Sequence, residues 1–447
     1  MSRKSVSVLL FLCFAVLFYF VTPCFSAEKA EEPSPKNLFK NLTSSKAEER
    51  SFAKSYIRTR KPVALIPLLQ KGILQEGGEG RKIYYDTLKI YPLESNMDVW
   101  LEILDKTGSY PFKIEVMEYI SSKGRIRSIV LPIAAQLKNP FEEVRNAAAK
   151  ILARIGDDRV YPVVLSMMRD ASSSAVRAVA VDVTDNYLYD DRLKDELVSM
   201  LNDSDGIVKA YAIKAVKHHG IDSATPAIRR IAESYGDSIS KYAALRYLAE
   251  TSPGLAIGVC AGTVNDRDRV VRLASANIMR RELSPSSAYP VCSRLKTESD
   301  ESVKDVLMDF LIYSRHIPDT EGVRRILRSD TEKLLRVKAA YVLGLTKGDT
   351  SVNALAASLT DKEPEVRAEA CSSLGSFQNN TAATNALIRM TKASEPRYVR
   401  SAALFAIIKS KTREATVSLF DLFATEKDVI FRNDLYHAVR GLIVQYH

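Results

Sequence analysis

Histidines and carboxylates are the first residues to consider for chemistry, because they serve as metal ligands and as general acids and bases. The chain has five histidines, and two of them, His218 and His219, are adjacent. None stands in a His-Glu or His-x-x-x-His arrangement, so the helical metal motifs are absent from the sequence. The pair follows a predicted helix and precedes Gly220, which places it in a turn. We therefore expect both side chains to be solvated, and we predict no metal site and no cofactor.

Acidic residues are dense between Asp182 and Asp195, which suggests calcium at first sight. The stretch lacks the alternate-residue spacing and central glycine of a calcium loop, and the run from Asp203 to Gly206 is too short for one. No Gly-x-Ser-x-Gly elbow or glycine-rich phosphate loop occurs either. The sequence thus predicts helix caps and turns at these acids. It offers no catalytic residues, and we expect a protein that is not an enzyme.

Basic residues, by contrast, recur along the chain at a spacing of 31 to 33. They are Arg50, Arg81, Lys113, Arg145, Arg177, Lys209, Lys241, Arg272, Lys304, Arg336, Arg367, Arg400 and Arg432. Three residues further on, eight of the thirteen units carry Ala; seven further on, twelve are apolar, with Thr184 the exception. A fixed period of this length is the signature of a solenoid. We predict an all-α fold, an α-α superhelical solenoid of about thirteen two-helix repeats.

One unit shows how the period becomes two helices. From Val144 to Ile155 the apolar residues follow the spacing of one helical face, and Gly156 is a natural helix stop. Pro162 falls in the first turn of the next helix, where its missing N–H has no partner in any case. Neither helix can bury its apolar face alone, so stacked neighbours must complete the core.

The run Val-Arg-x-x-Ala-Ala-x-x-Leu-Gly, followed by a short turn, resembles the HEAT-like repeat of phycobilin lyases. It is matched most fully at residues 144–155, 335–344 and 366–375. The resemblance implies a HEAT-like solenoid over residues 47–447. Arrays of this kind serve mostly as binding scaffolds, so the resemblance is specific for fold and nearly silent on function. The family name also leaves an enzyme open as a disfavoured alternative, a tetrapyrrole lyase or isomerase.

The first 26 residues differ from the rest of the chain. Arg3 and Lys4 precede fourteen consecutive apolar residues, and Cys24 and Ser26 supply the small residues of a cleavage site. This pattern predicts a signal peptide over residues 1–26, cleaved near Ser26, and hence a secreted or bacterial periplasmic protein. Residues 27–46 are polar and contain proline, which predicts a flexible tether. An uncleaved anchor stays open as an alternative.

The net charge of +10 falls to +8 without the predicted signal, a modest excess that the thirteen periodic basic residues more than account for. We expect these residues to form a structural ladder, each bonding to an acid or a turn carbonyl between repeats. Acids just upstream, such as Asp361 before Arg367, favour this interpretation over a cationic strip, and no nucleic acid partner is expected. The cysteines outside the signal, Cys260, Cys292 and Cys371, are predicted to be buried, and a bridge between the first two stays open.

Partner binding is expected on the second helices, which usually line the concave side of such solenoids. Apolar residues such as Trp100 and Ile228 share one core position of that helix, and the next two positions vary between units. The best candidates for contacting an acidic or phosphorylated partner are Arg229, Arg230, Arg324 and Arg325. The leading hypothesis is an exported, non-enzymatic scaffold that binds another protein, with no small-molecule ligand. An envelope protein that binds anionic glycan or lipid is the alternative.

Overall fold

The computed structural model describes residues 32–122 and 127–445. The chain divides between Val160 and Tyr161 into two compact units, here called the N-terminal unit (residues 32–160) and the C-terminal unit (residues 161–445). The predicted signal peptide, residues 1–26, lies outside the described residues. Within them every regular element is helical, so the fold is an all-α solenoid, an α-α superhelix as the sequence predicts.

The helices of the N-terminal unit are short and follow one another after brief turns. They are α1 (Pro35–Leu42), α2 (Ala47–Arg60), α3 (Ile66–Gln75), α4 (Gly78–Leu88), α5 (Met97–Lys106), α6 (Tyr110–Ser121), α7 (Val130–Ala135) and α8 (Glu142–Ile155). Helix α9 (Val160–Met168) begins at the division between the units. The core of the N-terminal unit is aromatic. Trp100 is fully buried, and its ring lies 5.5 Å from the ring of Tyr85 and 4.7 Å from the ring of Tyr119.

The C-terminal unit continues the same alternation. Its helices are α10 (Ser174–Val183), α11 (Lys194–Ser199), α12 (Gly206–His218), α13 (Thr225–Glu233), α14 (Ser238–Thr251), α15 (Pro253–Thr263), α16 (Arg269–Glu282), α17 (Ala288–Leu295), α18 (Glu301–Ser314), α19 (Glu321–Ser329), α20 (Lys333–Gly344), α21 (Asp349–Ser358), α22 (Pro364–Leu374), α23 (Thr381–Arg389), α24 (Arg397–Ser410), α25 (Arg413–Thr425) and α26 (Val429–Gln445). From α2 onward, even-numbered helices are the first helices of the repeats and odd-numbered ones the second.

Each periodic basic residue occupies the fourth position of a first helix, so the sequence period is the repeat of the fold. In the C-terminal unit, first helices pack on the next first helices, and most second helices contact the first helix that follows them and the next second helix. The small residue three places on lies where first helices meet: Ala212, Ala244 and Ala339 are fully buried. Local caps support the same boundaries, since Gly156 ends α8 with a φ of 63° and Asp300 caps α18 through the N–H of Val303.

The prediction of a flexible tether over residues 27–46 is wrong for its second half. Ser34 caps helix α1, Pro35 occupies its first turn, and Leu38 and Leu42, one helical turn apart, are fully buried. Phe39 stacks on Tyr84 with 4.6 Å between ring centroids. Two apolar side chains on one face are enough to dock a short helix, so the packed array begins near Pro35 rather than at residue 47.

The last repeat has only a first helix among the described residues. Helix α26 packs against both α24 and α25 and buries Phe431 and Leu435 completely. The thirteen predicted repeats are therefore twelve helix pairs and this terminal helix within the part of the chain that the structure describes. None of the helices described there has the length and apolar character needed to cross a membrane.

Candidate binding surface and histidine cluster

The periodic basic residues of the C-terminal unit form a ladder of ion pairs, here called the acidic ladder. Each cation in eight successive first helices meets a carboxylate in the turn that precedes the next first helix, 25 to 28 residues later. The pairs are Arg177–Asp203, Lys209–Asp237, Lys241–Asp266, Arg272–Glu298, Lys304–Asp330, Arg336–Asp361, Arg367–Glu395 and Arg400–Glu426.

Arg336 shows the full set of contacts. Its Nε and Nη2 donate to the two oxygens of Asp361 at 2.8 and 2.9 Å, and its Nη1 donates to the carbonyls of Asp330 and Thr331. The same carboxylate accepts the N–H of Glu363, which fixes the turn before α22. One guanidinium thus joins the turn before its own helix to the turn one repeat later.

The structural ladder predicted from the sequence is present, but its pairing differs from the expected one. The sequence places Asp361 just before Arg367 and predicts that these two residues form a pair. Instead Arg367 takes only the carbonyl oxygen of Asp361, at 2.7 Å, and its ion pair is with Glu395. The carboxylate points back to the preceding repeat, where a long side chain can reach it across the stack.

Burial and ion pairing act in opposite directions on the pKa values of the ladder acids. Burial raises the pKa of Glu298, but hydrogen bonds from Arg294 and Arg272 outweigh it and lower the pKa to about 2. The pKa of Asp361 is likewise lowered, because the bonds from Arg336 and a backbone N–H exceed the effect of burial. These carboxylates are therefore ionised at neutral pH despite their burial.

In the N-terminal unit the periodic basic residues bond to carbonyl oxygens instead. Arg81 Nε donates to the carbonyls of Ile73 and Glu76. Lys113 Nζ donates to that of Leu104 at 2.6 Å, and Arg145 Nη1 to that of Asn139 at 2.9 Å. These contacts close the turn that precedes each first helix, without an acidic partner.

The four arginines predicted to contact a partner have different environments. Arg229 and Arg230 are exposed on α13, where Arg229 pairs with Glu233 of its own helix at 2.9 Å. Arg325 on α19 is turned inward, and its Nη2 donates to the carbonyls of Leu295 and Glu298. Arg325 therefore joins its helix to the end of α17 and the turn after it, and a partner contact at Arg325 stays a prediction. The sequence around Arg325 does not indicate these hydrogen bonds, because the acceptor carbonyls lie about 30 residues away.

Arg324 borders a groove between α19 and α21. The groove has a volume of about 610 Å³ and is lined in part by Arg324, Arg328, Asn353, Ala354 and Ala357. The two alanines leave room between the helices, while the arginines and Asn353 supply hydrogen-bond donors. Sequence reasoning missed Arg328, although it is one helical turn beyond Arg324 on the same face.

A second cluster of chemically capable side chains lies at the ends of α10 and α12. A π-helical turn, Thr184–Leu188, follows α10 and carries the buried Asp185. Its Oδ1 lies 2.8 Å from His218 Nδ1 and 3.3 Å from His219 Nε2. Its Oδ2 lies 3.0 Å from Lys214 Nζ and forms an ion pair with it, but the angles are not those of a hydrogen bond. Asp185, His218 and His219 thus bring three possible metal-ligating atoms together within the described part of the chain.

The expectation that both histidines are solvated is wrong for His219. Its side chain is only 14% exposed, against 63% for His218, and the ring of Tyr189 stacks on it at 3.7 Å. The sequence carried one signal, since Thr184, just before Asp185, is the exception to the apolar pattern. Asp185 also precedes His218 by 33 residues, close to one repeat, which places both at the same level of adjacent first helices.

The cysteines lie where the sequence predicts them. Cys260, Cys292 and Cys371 are buried and free, so the bridge left open between the first two is not formed. Burial raises the pKa of the Cys371 thiol to about 12. These thiols therefore pack as small apolar groups.

Comparison with known proteins identifies the repeat. The family model of HEAT repeats matches residues 97–183 and 320–408. No curated protein matches the chain.

Solved structures resemble the chain at low identity. A structure of Kap95p binding to RanGDP contains a chain that is 12% identical with a TM-score of 0.41, over 90% of this chain and 60% of that one. Importin beta gives 12% identity and a TM-score of 0.37, over 88% of this chain and 54% of its own. Human deoxyhypusine hydroxylase gives 16% and 0.26, over 70% of this chain and 95% of its own. This chain thus spans less than two thirds of the first two, and such likeness gives no basis for transferring an activity. Residues 97–183 and 320–408 are HEAT repeats within an all-α solenoid.

Proposed function

We propose that the protein is an exported, non-enzymatic scaffold that binds an acidic segment of another protein along its second helices. HEAT-repeat solenoids are typical protein-binding scaffolds, because repeated helices present a long surface whose outer side chains are free to vary. Export rests on the N-terminal sequence pattern, Arg3 and Lys4 followed by the apolar run.

The groove between α19 and α21 is the observation that carries this proposal. Most periodic cations are occupied by the acidic ladder, whereas Arg328 is exposed and makes no hydrogen bond or ion pair within the described ranges. Arg230 on α13 is exposed in the same way. The buried Nε of Arg324 also has no hydrogen-bond partner in the described part of the chain. Guanidinium groups with unused donors beside a groove favour carboxylate ligands, which they bind through two parallel N–H bonds.

Site-specific crosslinking in the host cell tests the proposal. A photo-crosslinking residue at Asn353, inside the groove, should capture one protein whose attached peptide is acidic. The same residue at Arg280, an exposed position on first helix α16, is the matched control and should not capture it. Equal capture at both positions, or none at Asn353, would exclude the groove.

Charge reversal then tests the arginines. Arg328→Glu should weaken binding of the captured partner by at least about tenfold, since a charge-assisted pair would become a repulsion. Arg280→Glu should leave binding unchanged, and both variants should unfold at the wild-type temperature because both side chains are exposed. Recovery of the mature chain from an extracytoplasmic fraction, with an N-terminus near Ala27, tests export separately.

A further inference from the structure

We propose that Asp185, His218 and His219 form a binding site for a divalent transition-metal ion, zinc being the best match. The site lies on the first helices, away from the groove between α19 and α21, and does not depend on the protein-binding proposal. It also departs from the sequence prediction that the chain holds no metal site.

The first argument is the convergence of ligand atoms. Asp185 Oδ1, His218 Nδ1 and His219 Nε2 all lie within 4.8 Å of one another. Zinc binds nitrogen and oxygen at about 2.0–2.2 Å, so two tetrahedral ligands stand roughly 3.4 Å apart. The observed separations from the carboxylate oxygen, 2.8 and 3.3 Å, are close to this value. An ion can enter after the side chains move apart by less than about 1 Å.

The second argument is that neighbouring residues fix two of the three ligands. Asp185 sits in a π-helical turn, a local departure from α-helix that often marks a functional site, and its side chain is almost fully buried. Lys214 pairs with the other carboxylate oxygen, Oδ2, which leaves Oδ1 beside His218 Nδ1 and His219 Nε2. His219 Nε2 also lies 3.2 Å from the backbone carbonyl oxygen of Asp185. The ring of Tyr189, parallel to His219 within 6°, holds that imidazole in plane. Supporting contacts of this kind orient ligands in known metal sites.

The donor set selects the kind of ion. Two imidazoles and one carboxylate suit zinc, nickel or copper, whereas calcium requires six to eight oxygen ligands. Asp182 is not part of the converging group, and its Oδ1 lies 3.8 Å from Lys214 Nζ. With three protein ligands and His218 largely exposed, one coordination position faces solvent, available to water or to a ligand from outside.

Calorimetric titration of the full chain, prepared without a histidine tag and stripped with chelator, tests the site with Zn²⁺ alone. We expect one bound ion per chain, and no binding of Ca²⁺ at the same concentrations. His218→Ala and His219→Ala should each weaken zinc binding by at least about tenfold, the loss that even outer-sphere partners can produce. His316→Ala, which removes an exposed histidine elsewhere, should titrate as wild type.

A second readout separates binding from folding. Zn²⁺ should raise the unfolding temperature of the wild type and of His316→Ala, and should not raise that of His219→Ala. Because His218 is exposed, His218→Ala should fold normally. This variant therefore still tests the site if His219→Ala does not fold. The proposal is overturned if the wild type binds no stoichiometric zinc, or if both histidine variants bind it as the wild type does.

Discussion

The two units use the same basic residue with different acceptors. In the C-terminal unit, Arg272 and Arg336 bond both to turn carbonyls and to a carboxylate one repeat later. In the N-terminal unit, Lys113 and Arg145 bond to carbonyls alone. The contact common to both units is therefore the closing of a turn, and the carboxylate adds a link between successive repeats.

The sequence explains the difference. All eight acids of the acidic ladder stand 25 to 28 residues after their cation. At 26 residues after Arg50, Arg81 and Lys113 stand Glu76, Thr107 and Asn139. Two of these are uncharged, and the carboxylate of Glu76 accepts a hydrogen bond from Tyr84 at 3.2 Å. We infer that the C-terminal unit depends on charge where the N-terminal unit depends on its aromatic core.

The largest expected effect concerns the last helix of the C-terminal unit. Deleting residues 429–447 removes α26, with the buried Phe431 and Leu435, and takes from Arg400 the ring that lies 3.8 Å from its guanidinium. Losing these buried side chains should cost the adjoining repeats roughly 5 kcal/mol, at about 1.5–3 kcal/mol each, and cause aggregation. Light scattering and hydrogen exchange would show it. Protection of α24 that stays at the wild-type level would contradict this role for α26.

The next effect compares one cation from each unit. Arg336→Ala leaves Asp361 buried without its partner and should reduce the free energy of unfolding by about 3–5 kcal/mol. Arg145→Ala loses hydrogen bonds to two carbonyls that water can reach in part, and should cost about 1–2 kcal/mol. Denaturant unfolding followed by hydrogen exchange in each unit measures both. Equal losses would mean that the carboxylate adds nothing to the turn contact.

Both variants bear on how much the sequence could predict. The period, the helix pairs and the buried position of Ala339 follow from spacing, because each depends on residues within one repeat or on a repeated contact. The identity of the carboxylate that pairs with Arg336 does not follow from spacing. Asp361 lies much closer in sequence to Arg367, yet its carboxylate pairs with Arg336. The burial of His219 does not follow from spacing either, since it depends on a π-turn and on Tyr189 in the preceding repeat. Long side chains reach across the stack, and no local rule gives their direction.

A smaller effect is the dependence of stability on pH through the acid Glu298 of the C-terminal unit. The pKa of Glu298 is lowered to about 2 in the folded chain, so its ion pairs stabilise fully above its unfolded pKa of about 4.3 and are lost as the pH falls through 2. Glu298→Gln should therefore lower the unfolding temperature at pH 7 and approach the wild type near pH 2. Circular dichroism melts from pH 2 to 7 measure this difference. A deficit that is the same at every pH would show that the charge of Glu298 is not what stabilises the fold.

The smallest effect converts one site of the N-terminal unit to the other chemistry. Asn139 Oδ1 accepts the N–H of Phe141 at 3.1 Å, the contact that Asp361 Oδ1 makes with the N–H of Glu363 at 2.9 Å. Asn139→Asp should keep this turn and offer a carboxylate to Lys113, whose pKa burial now lowers. The expected gain is about 0.5–1 kcal/mol, the value of a partly exposed pair. In a Lys113→Met background the gain should vanish, because the cation is gone. A gain of equal size in both backgrounds would come from the turn alone and would show that an acid at this position does not by itself build a rung of the ladder.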